Sequence, residues 1–156
     1  MNSKRRTLLK GSLAAGAVGV AASAGLLAPR SVLAAWPKSA FSAKGIDASL
    51  SELYGSGDAA SSSSIKLKAP DIAENGAVVP VTVSSSIKNA ESISIFVAKN
   101  PQPLTSSYAL GSATDAYVAT RIKMGKTSDV VAVVKAGGKL YSAKKEVKVT
   151  IGGCGG

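Results

Sequence analysis

Val130-Val131-Ala132-Val133-Val134-Lys135-Ala136-Gly137-Gly138-Lys139-Leu140-Tyr141 is the stretch that decides the fold. Two segments rich in β-formers, residues 130–135 and 140–151, are joined through a Gly-Gly pair of the kind that makes a tight hairpin. In the second segment Val147, Val149 and Ile151 fall on one face, and Glu146, Lys148 and Thr150 on the other. That period of two is what a half-buried strand requires.

The same rhythm recurs upstream. Residues 65–68 alternate Ile-Lys-Leu-Lys. Within residues 77–84, Val79, Val81 and Val83 oppose Thr82 and Ser84, and Ile93, Ile95 and Val97 repeat the pattern. Residues 108–110 form a short edge strand. In residues 117–124, Val118, Thr120, Ile122 and Met124 oppose Ala119, Arg121 and Lys123. Between strands lie Asn75-Gly76, a sharp turn signal, and Asn100-Pro101-Gln102-Pro103, where proline cannot donate to a ladder. Seven short strands at regular spacing predict a mainly β chain, an immunoglobulin-like antiparallel sandwich. Parallel crossovers would need helical patterns that the chain lacks.

Ahead of the strands, Trp36-Pro37 opens a predicted N-terminal helix whose stripe of Phe41, Ile46, Leu50 and Leu53 runs to Tyr54, with Gly55 as its stop. The stripe is expected to dock on the protein's own core. Residues 55–64, built of Gly, Ser, Ala and Asp, read as a linker. Residues 1–34 read as an export signal: Arg5-Arg6 and Lys10 have the twin-arginine form, an uncharged Ala/Gly-rich stretch follows, and Val32-Leu33-Ala34 offers a cleavage site. The stretch is poor in strongly apolar residues, so no membrane span is expected after its removal. The expected organisation is a twin-arginine signal over 1–34, helix and linker over 35–64, the sandwich over 65–151 and a tail over 152–156.

The full chain has a formal charge of +10; the signal holds five cations and no acid, leaving +5. The remaining lysines are scattered over strands with no aromatic-interleaved basic patch, which argues against nucleic acid. They could steer acidic partners or small anions, and a solvated surface explains them equally well. Histidine is absent, which removes the commonest general base and metal ligand. One cysteine and two methionines leave no soft-metal cluster, and neither serine run has a nucleophile-elbow pattern. No cofactor and no self-contained enzyme is expected. A carrier or a binding module remains.

The chemistry falls to the single cysteine. Cys154 stands between Gly152-Gly153 and Gly155-Gly156. Four residues without side chains make the thinnest tether a chain can build. From Ile151 it carries the thiol roughly 10 Å, at about 3.3–3.6 Å per residue. A thiolate is the nucleophile, and nothing beside Cys154 in sequence lowers its pKa, so activation must come from outside. An unpaired cysteine in an exported chain also suits intermolecular pairing.

Several segments carry a resemblance: the Gly-Gly-Cys-Gly-Gly tail, residues 68–76 with Val79-Pro80-Val81, Phe96-Val97-Ala98-Lys99-Asn100-Pro101, residues 121–125, residues 141–150 and the signal. Together they resemble the SoxY family, the sulfur-carrier subunits of the bacterial thiosulfate-oxidising Sox system. The resemblance covers nearly all of the chain beyond the signal and is weakest over residues 57–64. It implies that Cys154 holds sulfur intermediates covalently on a carrier arm of Gly152, Gly153, Gly155 and Gly156, in the periplasm. It implies a heterodimer with a SoxZ-like subunit. It also implies transient visits to a c-type cytochrome pair (SoxXA), a sulfate-releasing hydrolase (SoxB) and a sulfane dehydrogenase (SoxCD). Two other classes stay open on the residues alone: an exported structural module dimerising through a Cys154–Cys154 disulfide, and a copper or redox sensor. Missing histidines and the lack of a second cysteine count against the sensor.

Overall fold

The computed structural model describes residues 37–150. Helices α1 (Lys38–Ser42) and α2 (Ile46–Tyr54) come first. Strands follow in the order β1 (Ala60–Ser61), β2 (Ile65–Lys68), β3 (Ile72–Ala73), β4 (Val79–Ser85), β5 (Ala90–Val97), β6 (Leu104–Ala109), β7 (Tyr117–Ile122), β8 (Ser128–Ala136) and β9 (Lys139–Val149). One sheet runs β1-β9-β8-β5-β6, with β3 also on β9; the other runs β2-β4-β7. The two face each other as an immunoglobulin-like sandwich.

The β8–β9 hairpin closes as its sequence requires. Ala136 pairs with Lys139, and Gly137 and Gly138 take φ of 56° and 73°. A two-residue turn of this hand needs positive φ at both positions, which side chains resist. The expected alternation then sorts the core. Val79, Val81 and Val83 meet Ile93, Ile95, Val130, Ala132 and Val134 between the sheets. The intervening residues of β5 and β8 face the other way: Phe96 and Val133 pack against Ala40 and Leu50 of the helices. The six-stranded sheet is thus covered on both faces, and the unbroken apolar run of β8 is the signature of that burial. Beneath α2, the Tyr54 hydroxyl lies 2.9 Å from Ser92 Oγ and 2.7 Å from Ser94 Oγ, and the Ser94 hydroxyl donates to Ser107 Oγ at 2.8 Å. The buried polar atoms there satisfy one another.

Three local expectations are corrected. The single N-terminal helix is two, broken at Gly45, whose φ of 104° only glycine adopts cheaply. The Gly45 carbonyl then accepts from both Ser49 N–H (3.2 Å) and Ser49 Oγ (3.0 Å), restarting the helix, and Gly55 stops it at φ 75°. The linker contains β1 and the 70–76 turn contains β3; both run parallel to β9. The long outer edge of β9 presents unpaired backbone groups, and two-residue segments suffice to cover parts of it. The edge strand β6 begins at Leu104 rather than 108, because buried Pro103 uses its carbonyl to accept from Val97 N–H at 2.8 Å.

Candidate functional site

The predicted arm, Gly152, Gly153, Cys154, Gly155 and Gly156, lies outside the described residues. What the structure gives is its root, the last turn of backbone that β9 offers before the arm begins. β9 is held there from both edges. On one edge, Lys148 N–H donates to Asp71 O at 2.9 Å and Thr150 N–H to Ala73 O at 3.1 Å. On the other, Val149 N–H donates to Thr127 Oγ1 at 3.0 Å. Val147, fully buried, ties the same stretch to the core. The backbone is therefore fixed to within one residue of Ile151.

A second layer fixes the segments that do the holding. The Asn75-Gly76 turn is closed by Ala77 N–H donating to Asn75 Oδ1 at 2.9 Å, an Asx turn. Gly76 then lies against the end of β7: its carbonyl accepts from Met124 N–H at 2.6 Å. A Cβ on Gly76 would run into the Met124 carbonyl oxygen and come within 2.9 Å of Val149 Cγ1. Only glycine fits between these two elements. On the far side, the Asn100 side chain donates to Lys123 O at 2.8 Å and accepts from Gly125 N–H at 3.1 Å. Lys145 Nζ donates to Ala69 O at 2.6 Å and pairs with Asp71 at 2.9 Å, pinning the β2–β3 connection onto β9.

The segments around residues 71–76, 98–101, 121–125 and 147–150, far apart in the chain, thus meet at one end of the sandwich around the departing strand. The sequence marked Asn75-Gly76 and Asn100-Pro101 as turns, and nothing in it says what they grip. Ala73 and Thr127 had no signal at all, because one acts through a backbone carbonyl and the other through a single hydroxyl. Among the described residues no three of Asp, Glu, Cys or His come together as a metal cluster, and no helix is long and apolar enough to cross a membrane.

The pattern of the family described as "Sulfur oxidation protein SoxY" matches residues 50–154, two thirds of the chain. The chain belongs to the SoxY family. Its match begins inside α2, takes in all nine strands, and ends on Cys154. Among solved structures, "the sulfur carrier protein SoxY from Chlorobium limicola f thiosulfatophilum" is 45% identical, with a TM-score of 0.61, over 69% of this chain and 97% of that one. No curated protein matches by sequence. SoxY membership and the sandwich agree: the clasp around β9 lies wholly within the matched span.

Proposed function

We propose that the chain is a covalent carrier of sulfur intermediates, with Cys154 as the attachment point and Gly152, Gly153, Gly155 and Gly156 as its arm. The observation that carries this reading is the SoxY match running through to residue 154, where the chain's only cysteine stands. The clasped end of β9 supports it. A carrier needs a rigid body and a slender tip, and the body here is hydrogen-bonded on both edges of the strand as far as Thr150.

The chemistry follows from a bare thiol. Oxidative joining of the Cys154 sulfur to the outer sulfur of thiosulfate forms an S–S bond and releases two electrons, which a c-type cytochrome pair of the SoxXA kind accepts. Hydrolysis by a SoxB-like enzyme breaks the bond to the sulfonate, releases sulfate and leaves a persulfide. A SoxCD-like dehydrogenase then oxidises the remaining sulfane sulfur. The chain itself supplies a nucleophile and a tether, so it acts as a subunit of a pathway rather than as an enzyme. Tethering raises the effective concentration of each intermediate at the next site. We further propose export to the periplasm by the twin-arginine route in company with a SoxZ-like subunit. That route moves folded proteins, and a sequence with no histidine and one cysteine points to a protein partner rather than a metal cofactor as the reason for folding first. The test is Cys154→Ser in a reconstituted thiosulfate-oxidising system: turnover should vanish, and normal turnover would end the carrier reading.

A further inference from the structure

The outer face of the three-stranded sheet is uncovered among the described residues, and its charges are of one sign. β2, β4 and β7 contain no Asp or Glu, yet hold Lys66, Lys68 and Arg121. Strand register arranges these on a grid. One row runs Lys66, Ser84, Tyr117, the next Lys68, Thr82, Ala119, and the last sets Pro80 against Arg121. All alternate with core residues such as Leu67, Val81 and Val118, so they share the outward face. The three cations are exposed and have no ion-pair partner among the described residues. Between them the side chains are small, with a shallow hollow lined by Pro80, Thr82, Ala119 and Arg121, and with Tyr117 left 58% exposed at one end and Val78 50% exposed at the other.

The six-stranded sheet differs. It mixes lysines with Glu91, Asp129 and Glu146, and its Lys135 and Lys145 are paired with carboxylates at 3.1 and 2.9 Å. Its outer face is also occupied by the helices. The bare face has one further property, its place beside the arm. Val79 and Ile122, which point inward, form the last pair of the sheet at one end, and just beyond it Met124 bonds to Gly76, which lies against Val149 at the arm's root.

We infer that this face is a docking surface for folded protein partners whose contact surface is acidic, and that it sets them with the arm at their rim. The inference rests on the carrier reading above. Three uncompensated cations on one sheet face attract carboxylates over about a Debye length and steer encounter. A second copy of this chain would set cation against cation there. The exposed tyrosine supplies the amphipathic contact that protein interfaces favour.

The experiment treats the carrier as the varied substrate of the reconstituted thiosulfate-oxidising enzymes and compares three proteins. These are wild type, Lys66→Glu/Lys68→Glu/Arg121→Glu, and a control with the same charge change elsewhere, Lys44→Glu/Lys139→Glu/Lys144→Glu. The face variant should raise the carrier's KM about tenfold or more with kcat unchanged; kcat/KM should decline with salt for wild type and should lose that decline in the variant. The control should shift KM far less. A neutral face variant, all three to Gln, should fall between wild type and the reversal, and serves if the reversal fails to fold. Melting and the labelling rate of Cys154 by a small thiol reagent should not move. Unchanged KM in the face variants, or an equal shift in the control, overturns the inference while leaving the carrier reading intact. So does binding of wild type, but not of the face variant, to vesicles of phosphatidylglycerol and phosphatidylcholine with KM unaltered. Absence of turnover with wild type overturns the carrier reading and this inference with it.

Discussion

Gly76→Ala is the smallest change that should disturb the root of the arm. The added Cβ meets the Met124 carbonyl oxygen and approaches Val149 Cγ1 to 2.9 Å. Val149 can yield by turning its side chain. The carbonyl cannot, because the same peptide region supplies the 2.6 Å bond from Met124 N–H to Gly76 O. One element must move, either the 75–76 turn or the end of β7. Forcing an extra carbon into a packed site costs about 1–3 kcal/mol. In a domain of this size about 4 °C of Tm is lost per kcal/mol, so a fall of roughly 4–12 °C is expected. Gly125→Ala is the matched control, because its Cβ would meet only Asn100 Oδ1, at 3.8 Å, an ordinary contact. Calorimetric melts of both variants, with amide exchange at Met124 and Thr150, make the assay. Gly76→Ala should melt lower and lose protection at both amides, while Gly125→Ala stays within about 2 °C of wild type. Equal melting of the two variants would refute the claim that Gly76 is clamped between β7 and β9.

Other outcomes bear on the arm, its route and the charged surface. Gly153→Val and Gly155→Val should slow sulfur transfer severely with melting and thiol labelling unchanged, since β-branching thickens and stiffens the arm; unaltered turnover in both would mean slenderness is unnecessary. Arg5→Lys with Arg6→Lys should hold both this chain and its SoxZ-like partner in the cytoplasm on cell fractionation, and a partner still exported would contradict joint passage. Glu91 is held below its ordinary 4.5 by the Lys135 hydrogen bond and charge and by the Gly138 and Gly137 N–H groups, against a smaller opposing effect of desolvation. Its folded pKa being depressed, its contribution is present above the unfolded value and is lost as pH falls through the folded one. The Tm gap between wild type and Glu91→Gln should be small at pH 7, since the pair is exposed, and should close in the acid range; a gap undiminished at about pH 3 would contradict the pairing.

The sandwich was legible because its determinants are side chains that alternate. Val79, Val81 and Val83, Ile93 and Ile95, and Val147 announce both strand and face, and Gly137-Gly138 announces the hairpin. β1 and β3 were not legible, since ladders of two residues in Ser/Ala and Asp/Ile/Ala contexts are made by backbone groups with no side-chain signature. The helix break at Gly45 hid behind an apolar stripe that continues through it. The clasp was hidden for the same reason as β3: Ala73 and Asp71 act through carbonyls. The uniform charge of the outer face was hidden differently. Lys66, Lys68 and Arg121 are visible in sequence, but β2, β4 and β7 become neighbours only when the chain folds. For the arm, the sequence carries the whole reading, as its residues lie beyond the described strand end.

The central claim, that Cys154 bears the sulfur, is tested most directly by intact-mass spectrometry of the protein taken from cells oxidising thiosulfate, before and after a thiol reductant. The expected spectrum shows added sulfane or thiosulfonate groups, all mapping to Cys154 and all lost on reduction. A spectrum holding only unmodified chain, or only a Cys154–Cys154 disulfide dimer, would contradict it and favour the structural module instead.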